Sequence, residues 1–141
     1  MGDHGSIGYV EYAFAKQNHE TTTVMENADH KFVEPTAANF GAAAAGAKWL
    51  QAPGNYLLLL NQPGAKSWPI TGVTFIMVYQ DQADATKGAD VLKFFDYSYK
   101  NGDAAAVALD YVPLPAAVKA MVRKQWAIMV NSGGKPVYVS K

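Results

Sequence analysis

The sequence has no cysteine among its 141 residues, which excludes disulfides and thiolate metal sites. It has a single arginine, Arg123, and its 12 basic side chains are balanced by 12 acidic ones. A formal net charge of zero argues against a nucleic-acid footprint and a polybasic membrane patch, so neither kind of partner is expected. No run of about 18 apolar residues is present to span a bilayer. Residues 1–4 (MGDH) have neither the basic start nor the apolar core of a signal peptide, so none is expected here.

Half of the residues are apolar and only 17% are charged, a composition typical of a chain that folds. Helices are predicted at residues 11–18, 37–47, 85–100, 103–109 and 116–129, where helix formers and three- or four-residue apolar spacing recur. Asp103 is expected to cap the fourth of them. Strands are predicted at residues 6–10, 56–60 and 137–139, and a hairpin at residues 21–25 and 31–33. Strands alternate with helices and no internal repeat is present, which predicts an α/β fold.

The longest apolar run with β-branched and aromatic bias is SWPITGVTFIMVYQ, residues 67–80. Successive side chains of a strand point to opposite faces, and here both sets are largely apolar. This run is therefore predicted to be a buried strand with structure on both sides, so that Phe75 and Ile76 lie on opposite buried faces. It is expected to begin after Pro69, because proline has no backbone donor for the ladder.

No catalytic or metal-binding motif is evident. The three histidines, His4, His19 and His30, lie on predicted termini or turns at spacings that match no helical metal pair, so they are interpreted as surface residues. No G-x-S-x-G elbow is present, and no local signature joins a serine to a histidine and an acid. No catalytic, cofactor-binding or metal-ligating residue is assigned, and the chain is not expected to be an enzyme.

Other polar and aromatic groups have structural interpretations. Four aspartates are predicted to be helix caps and solvated side chains rather than a general acid and base: Asp81, Asp84, Asp90 and Asp96. Residues 132–135 (SGGK) resemble a phosphate loop only superficially, because the full spacing and a following helix are missing. The three tryptophans and three of the tyrosines, Tyr97, Tyr99 and Tyr111, are expected in core or interlobe packing, since no basic residues are interleaved for base stacking.

Four blocks of sequence resemble one known family. They are residues 5–15 (GSIGYVEYAFA), 68–71 (WPIT), 91–97 (VLKFFDY) and 109–115 (LDYVPLP), and their order and spacing match as well. Together they resemble the C-terminal half of the phosphate-binding proteins of bacterial ABC importers, the PstS family. The resemblance extends over nearly the whole chain from Gly5 onward.

This resemblance implies part of a type II periplasmic-binding-protein fold, in which two α/β lobes joined at a hinge enclose a ligand cleft. Residues 1–70 would be the C-terminal part of lobe 2, and residues 71–141 would be the returning C-terminal part of lobe 1. The resemblance also implies inorganic phosphate and the membrane subunits of an ABC importer as partners of the intact parent, which would lie in the periplasm.

The phosphate ligands of the family are expected to be missing here. By the resemblance, members hold phosphate through groups near the mature N-terminus, a buried aspartate and an Arg…Ser-Gly-Thr segment at a helix start. None of these segments is present, and Arg123 lies in the middle of a predicted helix. The ligand-binding residues are therefore unknown, no cofactor is expected, and the chain alone is predicted not to bind phosphate tightly.

Two functions remain open at this point. The first is the solute-binding component of a phosphate importer, of which this chain represents the C-terminal portion. The second is a truncated structural or interaction module that self-associates, for instance by exchanging lobes, and binds no ligand. Sheet edges and apolar faces without their partners favour self-association into a dimer or a larger species.

Overall fold

The computed structural model describes residues 5–140, in which the regular structure is mostly helical. The helices are α1 (Tyr12–Gln17), α2 (Ala37–Gly46), α3 (Ala85–Asn101), α4 (Asp103–Ala108) and α5 (Ala116–Met129). They confirm the helices predicted from the sequence. Asp84 caps α3 by accepting from the backbone N–H of Thr86 at 3.0 Å and that of Lys87 at 3.1 Å. The cap predicted at Asp103 is wrong, because Asp103 is the first residue of α4 and Gly102 precedes it without a side-chain cap.

Two short antiparallel hairpins supply the strands. The first pairs β1 (Met25–Glu26) with β2 (Phe32–Val33), which confirms the predicted hairpin in a shorter form. The second pairs β3 (Asn131–Ser132) with β4 (Lys135–Pro136). The last strand was predicted at residues 137–139, and this placement is wrong. The tight turn at Gly133–Gly134 pairs the residues that directly flank the turn, so the strand lies before residue 137.

Asn27 ties the first hairpin to the loop at residues 64–67. It is 4% exposed, and its Oδ1 accepts from the two backbone amides of the hairpin turn, those of Asp29 and Lys31, both at 3.0 Å. Its Nδ2 donates to three carbonyls of the loop, those of Gly64, Ala65 and Ser67, at 3.1, 3.2 and 3.2 Å. Amides on one side and carbonyls on the other determine how the side-chain amide is oriented.

Three predicted strands are not strands in this chain. Residues 6–10, 56–60 and 67–80 are extended or irregular, and the isolated antiparallel bridge between Leu60 and Ile70 is the only β-bridge that they form within residues 5–140. The prediction that residues 67–80 form a buried strand is wrong: Ile76 is 52%, Met77 97% and Tyr79 84% exposed. A strand is completed by neighbours that pair with its backbone and cover its faces, and within residues 5–140 no backbone hydrogen bond reaches residues 72–78, whose side chains are covered only in part.

Helix α5 lies between two small apolar cores. The first core consists of Ala44, Trp49, Leu59 and Val118, and the second consists of Leu92, Trp126 and Val130. Val122 on α5 packs against both cores. The three buried tryptophans thus act as core residues, as predicted: Trp49, Trp68 and Trp126. The observed combination of helices with small sheets is compatible with part of an α/β fold.

None of the helices in the described part of the chain has the length and apolar character that a membrane crossing requires.

Candidate functional site

The most connected polar site centres on Asp96, a residue of α3. Asp96 is only 4% exposed, and α3 brings it to the side that faces α5 and the C-terminal segment. Its Oδ2 accepts from Lys100 Nζ at 2.7 Å and from the Tyr138 hydroxyl at 2.9 Å. Its Oδ1 accepts from Arg123 Nε and from the Ser140 hydroxyl, both at 2.6 Å. These five residues are called the Asp96 cluster below.

Electrostatics keep Asp96 ionised. Burial alone raises the pKa of its carboxyl, but the hydrogen bonds from Lys100, Ser140, Tyr138 and Arg123 outweigh burial and hold that pKa well below its usual range. The same environment raises the pKa of the Tyr138 phenol, through burial and through its bond to the Asp96 carboxylate. A group that stays ionised near neutral pH, with both oxygens occupied, is poorly suited to act as a general acid or base. The Asp96 cluster is suited to fasten the C-terminal segment to α3 and α5.

The prediction that Asp96 would be a cap or a solvated side chain is therefore wrong. The signal that could have revealed it is its helical register, because Asp96 follows the fully buried Leu92 by four residues and so shares its face. The other three aspartates are caps or exposed groups. Asp84 caps α3, Asp90 pairs with Lys93 at 2.8 Å, and Asp81 is exposed and forms an isolated parallel bridge with Asn131.

The SGGK segment is the tip of the second hairpin and is not a phosphate loop. Gly133 and Gly134 form its turn with φ of 56° and 76°, a left-handed conformation that favours glycine. The Ser132 hydroxyl donates to the Gln82 carbonyl at 2.7 Å, so it is already committed to the protein. A strand follows the turn, whereas a phosphate loop is followed by the N-terminus of a helix.

The histidines do not form a metal site in the described residues. His19 and His30 are both exposed, and His30 Nδ1 lies 2.7 Å from Glu26 Oε1, while His4 lies outside the described residues. Within residues 5–140, no three histidine, aspartate or glutamate side chains gather closely enough to hold a metal ion.

The tyrosines that were expected in packing have different environments. Tyr99 stacks on Trp126 with ring centroids 5.7 Å apart, and burial raises the pKa of its phenol. Tyr97 and Tyr111 are instead largely exposed, so within this chain they are not core residues. A hydrogen bond to the Glu11 carboxylate raises the pKa of the Tyr111 phenol.

A shallow groove of about 430 Å³ beside α1 offers no anion site either. Its lysine, Lys16, forms an ion pair with Asp110, and the hydrogen bond between them lowers the pKa of the Asp110 carboxyl. Glu20 lines the same groove, and its carboxylate would repel an anion.

Comparison with known proteins identifies the relatives of this chain. No family model matches it. It is 46% identical over 123 residues to the phosphate-binding protein PstS of Haemophilus influenzae, covering 86% of this chain and 36% of that protein. It is 43% identical to the phosphate-binding protein PstS of Pasteurella multocida, covering 94% of this chain and 39% of the relative. The PstS of Xylella fastidiosa strain 9a5c is 41% identical, with coverages of 87% and 34%.

The chain thus spans little more than a third of the length of these relatives, although nearly all of its own residues match them. The relatives are named for binding phosphate and not for a catalysed reaction. The resemblance predicted from the four sequence blocks is confirmed: this chain is related, along most of its length, to part of the PstS family of phosphate-binding proteins.

Proposed function

We propose that this chain is the C-terminal portion of a phosphate-binding protein that serves a bacterial ABC importer. The observation that carries the proposal is an identity of 46% to a protein named phosphate-binding protein PstS, over 86% of the chain. The intact parent would bind inorganic phosphate in the periplasm and deliver it to the membrane subunits of the importer. Its role would be binding and release, without catalysis.

In this proposal the chain contributes to both lobes of a type II periplasmic-binding-protein fold. Residues 1–70 would belong to lobe 2 and residues 71–141 to lobe 1, with the hinge crossover near the buried residues Trp68 and Thr71. The parent would work by closing its lobes about this hinge. Extended apolar segments that lack strand partners here support the idea that further chain completes the sheets.

The chain alone would not bind phosphate tightly. A multiply charged anion must be desolvated, and this requires several convergent donors. Two cationic groups, those of Lys100 and Arg123, are directed at the Asp96 carboxylate. The SGGK tip and the groove beside α1 provide no such set of donors. Ligand binding depends on the residues of the site and not on the fold. Phosphate binding is therefore assigned to the intact parent and not to this chain alone.

The proposal is tested with a hybrid protein. The region of the Haemophilus influenzae relative that matches this chain is replaced by this chain, and phosphate binding is measured by calorimetric titration at neutral pH. The hybrid is expected to bind phosphate with a micromolar or lower dissociation constant, equivalent to roughly 8 kcal/mol or more. The isolated chain is expected to show no such binding.

The unmodified relative serves as the positive control for this titration. A hybrid that unfolds cooperatively but does not bind phosphate, beside a relative that does, would refute the proposal. Tight binding by the isolated chain would instead reveal a site of its own, and residues 132–135 and Arg123 would be the first to substitute.

A second candidate function is a self-associating structural module without ligand binding. The observation that favours it is the number of large apolar side chains that the isolated chain exposes, including Ile7, Tyr9 and Met77. Light scattering is expected to show a dimer or a larger species at micromolar concentration. A compact monomer that unfolds cooperatively would refute this candidate.

A further inference from the structure

Asp110 receives two side chains from a helix that is distant in the sequence. Lys16, in the last turn of α1, forms an ion pair with its Oδ1, and the Gln17 side-chain amide donates to its Oδ2 at 3.3 Å. The two donors lie 94 and 93 positions before Asp110. Both oxygens of this carboxylate are therefore bonded to α1. These two bonds are called the Asp110 contact below.

Helix α1 is fixed to the residues that are proposed as lobe 2. The Tyr12 ring packs edge-on against Phe40 of α2 with ring centroids 5.0 Å apart, and Phe40 packs edge-on against the buried Trp68 at 6.3 Å. Ala15 of the same helix is also buried. These contacts join α1 to the residues next to the proposed hinge crossover, so we expect α1 to move with lobe 2.

Asp110 is fixed to the residues that are proposed as lobe 1. Its backbone amide donates to the Val107 carbonyl at 3.0 Å, which forms a corner at the end of α4. The corner places Asp110 at a φ of 62°, a left-handed conformation that aspartate tolerates better than most residues. Helix α4 is joined to α5 by the ion pair between Asp103 and Lys119. The carboxylate is therefore held in position by its own lobe.

The same two lobes also share apolar contacts, which differ from the Asp110 contact in their cost of separation. Trp49 and Leu59 from one proposed lobe lie in the first core with Val118 from the other. Separating these side chains would expose apolar surface to water, so we expect this connection to persist when the lobes move. The Lys16 side chain is 57% exposed, and both charges of the ion pair can be hydrated after they separate. The Asp110 contact can therefore form and break reversibly.

We propose that the Asp110 contact is an interlobe latch that forms when the lobes close and favours the closed arrangement. Hinged lobes that close around a ligand come together, so side-chain bonds between them are gained on closing and lost on opening. A bond that exists only in the closed arrangement raises its population, and with it the apparent affinity for the ligand. The inference rests on the proposed function for its lobes and its ligand. It goes beyond that function by naming residues that regulate phosphate binding.

Zero-length cross-linking tests whether the Asp110 contact forms in this chain. A carbodiimide activates the Asp110 carboxylate, the Lys16 amine attacks the activated carbon to form an amide, and one carboxylate oxygen leaves in the urea by-product. Because no spacer remains, this bond forms only between side chains that touch. Mass spectrometry of peptides from the treated chain is expected to find the link between Lys16 and Asp110. Its absence would overturn the proposal.

The cross-link also reports on the lobes without any need for phosphate. The hybrid protein described above and its Asp110→Asn variant, which cannot form this link, are both treated with carbodiimide. Small-angle X-ray scattering is expected to give a smaller radius of gyration for the linked hybrid, because closed lobes are more compact. An equal or larger radius for the linked hybrid would overturn the latch.

Phosphate titration of the untreated hybrid measures the effect of the latch on affinity. Asp110→Asn keeps the size of the side chain and tolerates the left-handed backbone, but it removes the charge that pairs with Lys16. It is expected to raise the dissociation constant about three- to fivefold. Asp90→Asn is the matched control, because it removes the same charge from the pair with Lys93 within α3, and it should leave the constant unchanged. Equal constants for the two variants would overturn the latch.

A double variant tests whether the two partners act through one bond. Lys16→Gln is expected to raise the dissociation constant by about the same factor as Asp110→Asn. Residues that share one interaction do not have additive effects, so the double variant should bind phosphate about as tightly as either single variant. Fully additive losses would show that the two residues act separately, and this would overturn the latch.

The two kinds of measurement separate this inference from the proposed function. A hybrid that does not bind phosphate, but becomes more compact on cross-linking, supports the latch and counts against the phosphate function. A hybrid that binds phosphate with the same affinity whether or not Asp110 is substituted overturns the latch and leaves the function in place.

Discussion

Substituting Asn27 with aspartate tests the donor hydrogen bonds of this buried side chain separately from its acceptor hydrogen bonds. The carboxylate keeps the acceptor side and can still receive the two backbone amides of the hairpin turn. It loses the donor side and places negative charge against three carbonyls of the 64–67 loop, at distances of 3.1, 3.2 and 3.2 Å in the unmodified chain. The substitution changes the shape of the side chain very little, so the resulting change in the free energy of unfolding reports on the donor hydrogen bonds.

The expected cost follows from the bonds that are lost. The two amide hydrogens contribute about 1 kcal/mol each, and leaving a buried carbonyl such as that of Ser67 unpaired adds roughly 1–3 kcal/mol. We therefore expect Asn27→Asp to lower the free energy of unfolding by about 3–5 kcal/mol at neutral pH. This is a large part of the stability of an ordinary small domain, so the loop at residues 64–67 is expected to detach from the hairpin.

Urea denaturation followed by circular dichroism measures this cost, with Asn39→Asp as the control. Asn39 is half-buried near the start of α2, where a negative charge is favourable, and its side chain donates to the Glu34 carbonyl in a solvent-exposed hydrogen bond. The control is expected to change stability by no more than about 0.5 kcal/mol. A loss below about 1 kcal/mol for Asn27→Asp would show that the donor bonds do not hold the loop.

Three further predictions concern the core and the Asp96 cluster. Leu92→Ala should lower the free energy of unfolding by about 2–5 kcal/mol, because Leu92 is fully buried, whereas Ile76→Ala should cost under about 1 kcal/mol in the isolated chain. Similar costs for the two would contradict their different burial. Asp96→Asn should cost roughly 3 kcal/mol or more in urea denaturation at neutral pH, since Arg123 and Lys100 would lose their charged partner; a loss under about 1 kcal/mol would show that the cluster does not fasten the C-terminal segment. The pKa of the Asp96 carboxyl is lowered by folding, so its contribution to stability is complete above about pH 5 and is lost as the pH falls below about 4. The unmodified chain should therefore lose more stability than Asp96→Asn between about pH 5 and pH 2, and parallel losses would contradict this assignment.

Local patterns were sufficient for the helices. The hydrogen bonds of a helix join residues four apart, so the apolar spacing at residues 85–100 and 116–129 contains most of the information that α3 and α5 need. The hairpin at Asn27 was also predictable, since its turn and both strands lie within a few residues of each other. The four blocks that resemble the PstS family were likewise evident from the order of residues, and the relatives confirmed them.

The Asp96 cluster was not predictable from such patterns. Its helical register indicates that Asp96 shares a face of α3 with Leu92, but the residues that bind Asp96 from outside α3 lie 27, 42 and 44 positions away. Only the packing of α5 and the C-terminal segment against α3 brings Arg123, Tyr138 and Ser140 to the carboxylate. The periodic pattern of one segment therefore does not reveal the partners that a polar site takes from distant segments.

The segment at residues 72–79 shows the same division between local and tertiary information. Its composition determined that it is extended and suited to a sheet, because β-branched and aromatic side chains favour that backbone. Whether it is a strand depends on neighbours that accept its hydrogen bonds, and within residues 5–140 no neighbour does so. The sequence by itself thus determined the helices, the first hairpin and the family, all of which depend on nearby residues or on residue order. Only the tertiary structure decided which apolar and charged side chains are buried, since burial depends on contacts between segments far apart in the chain.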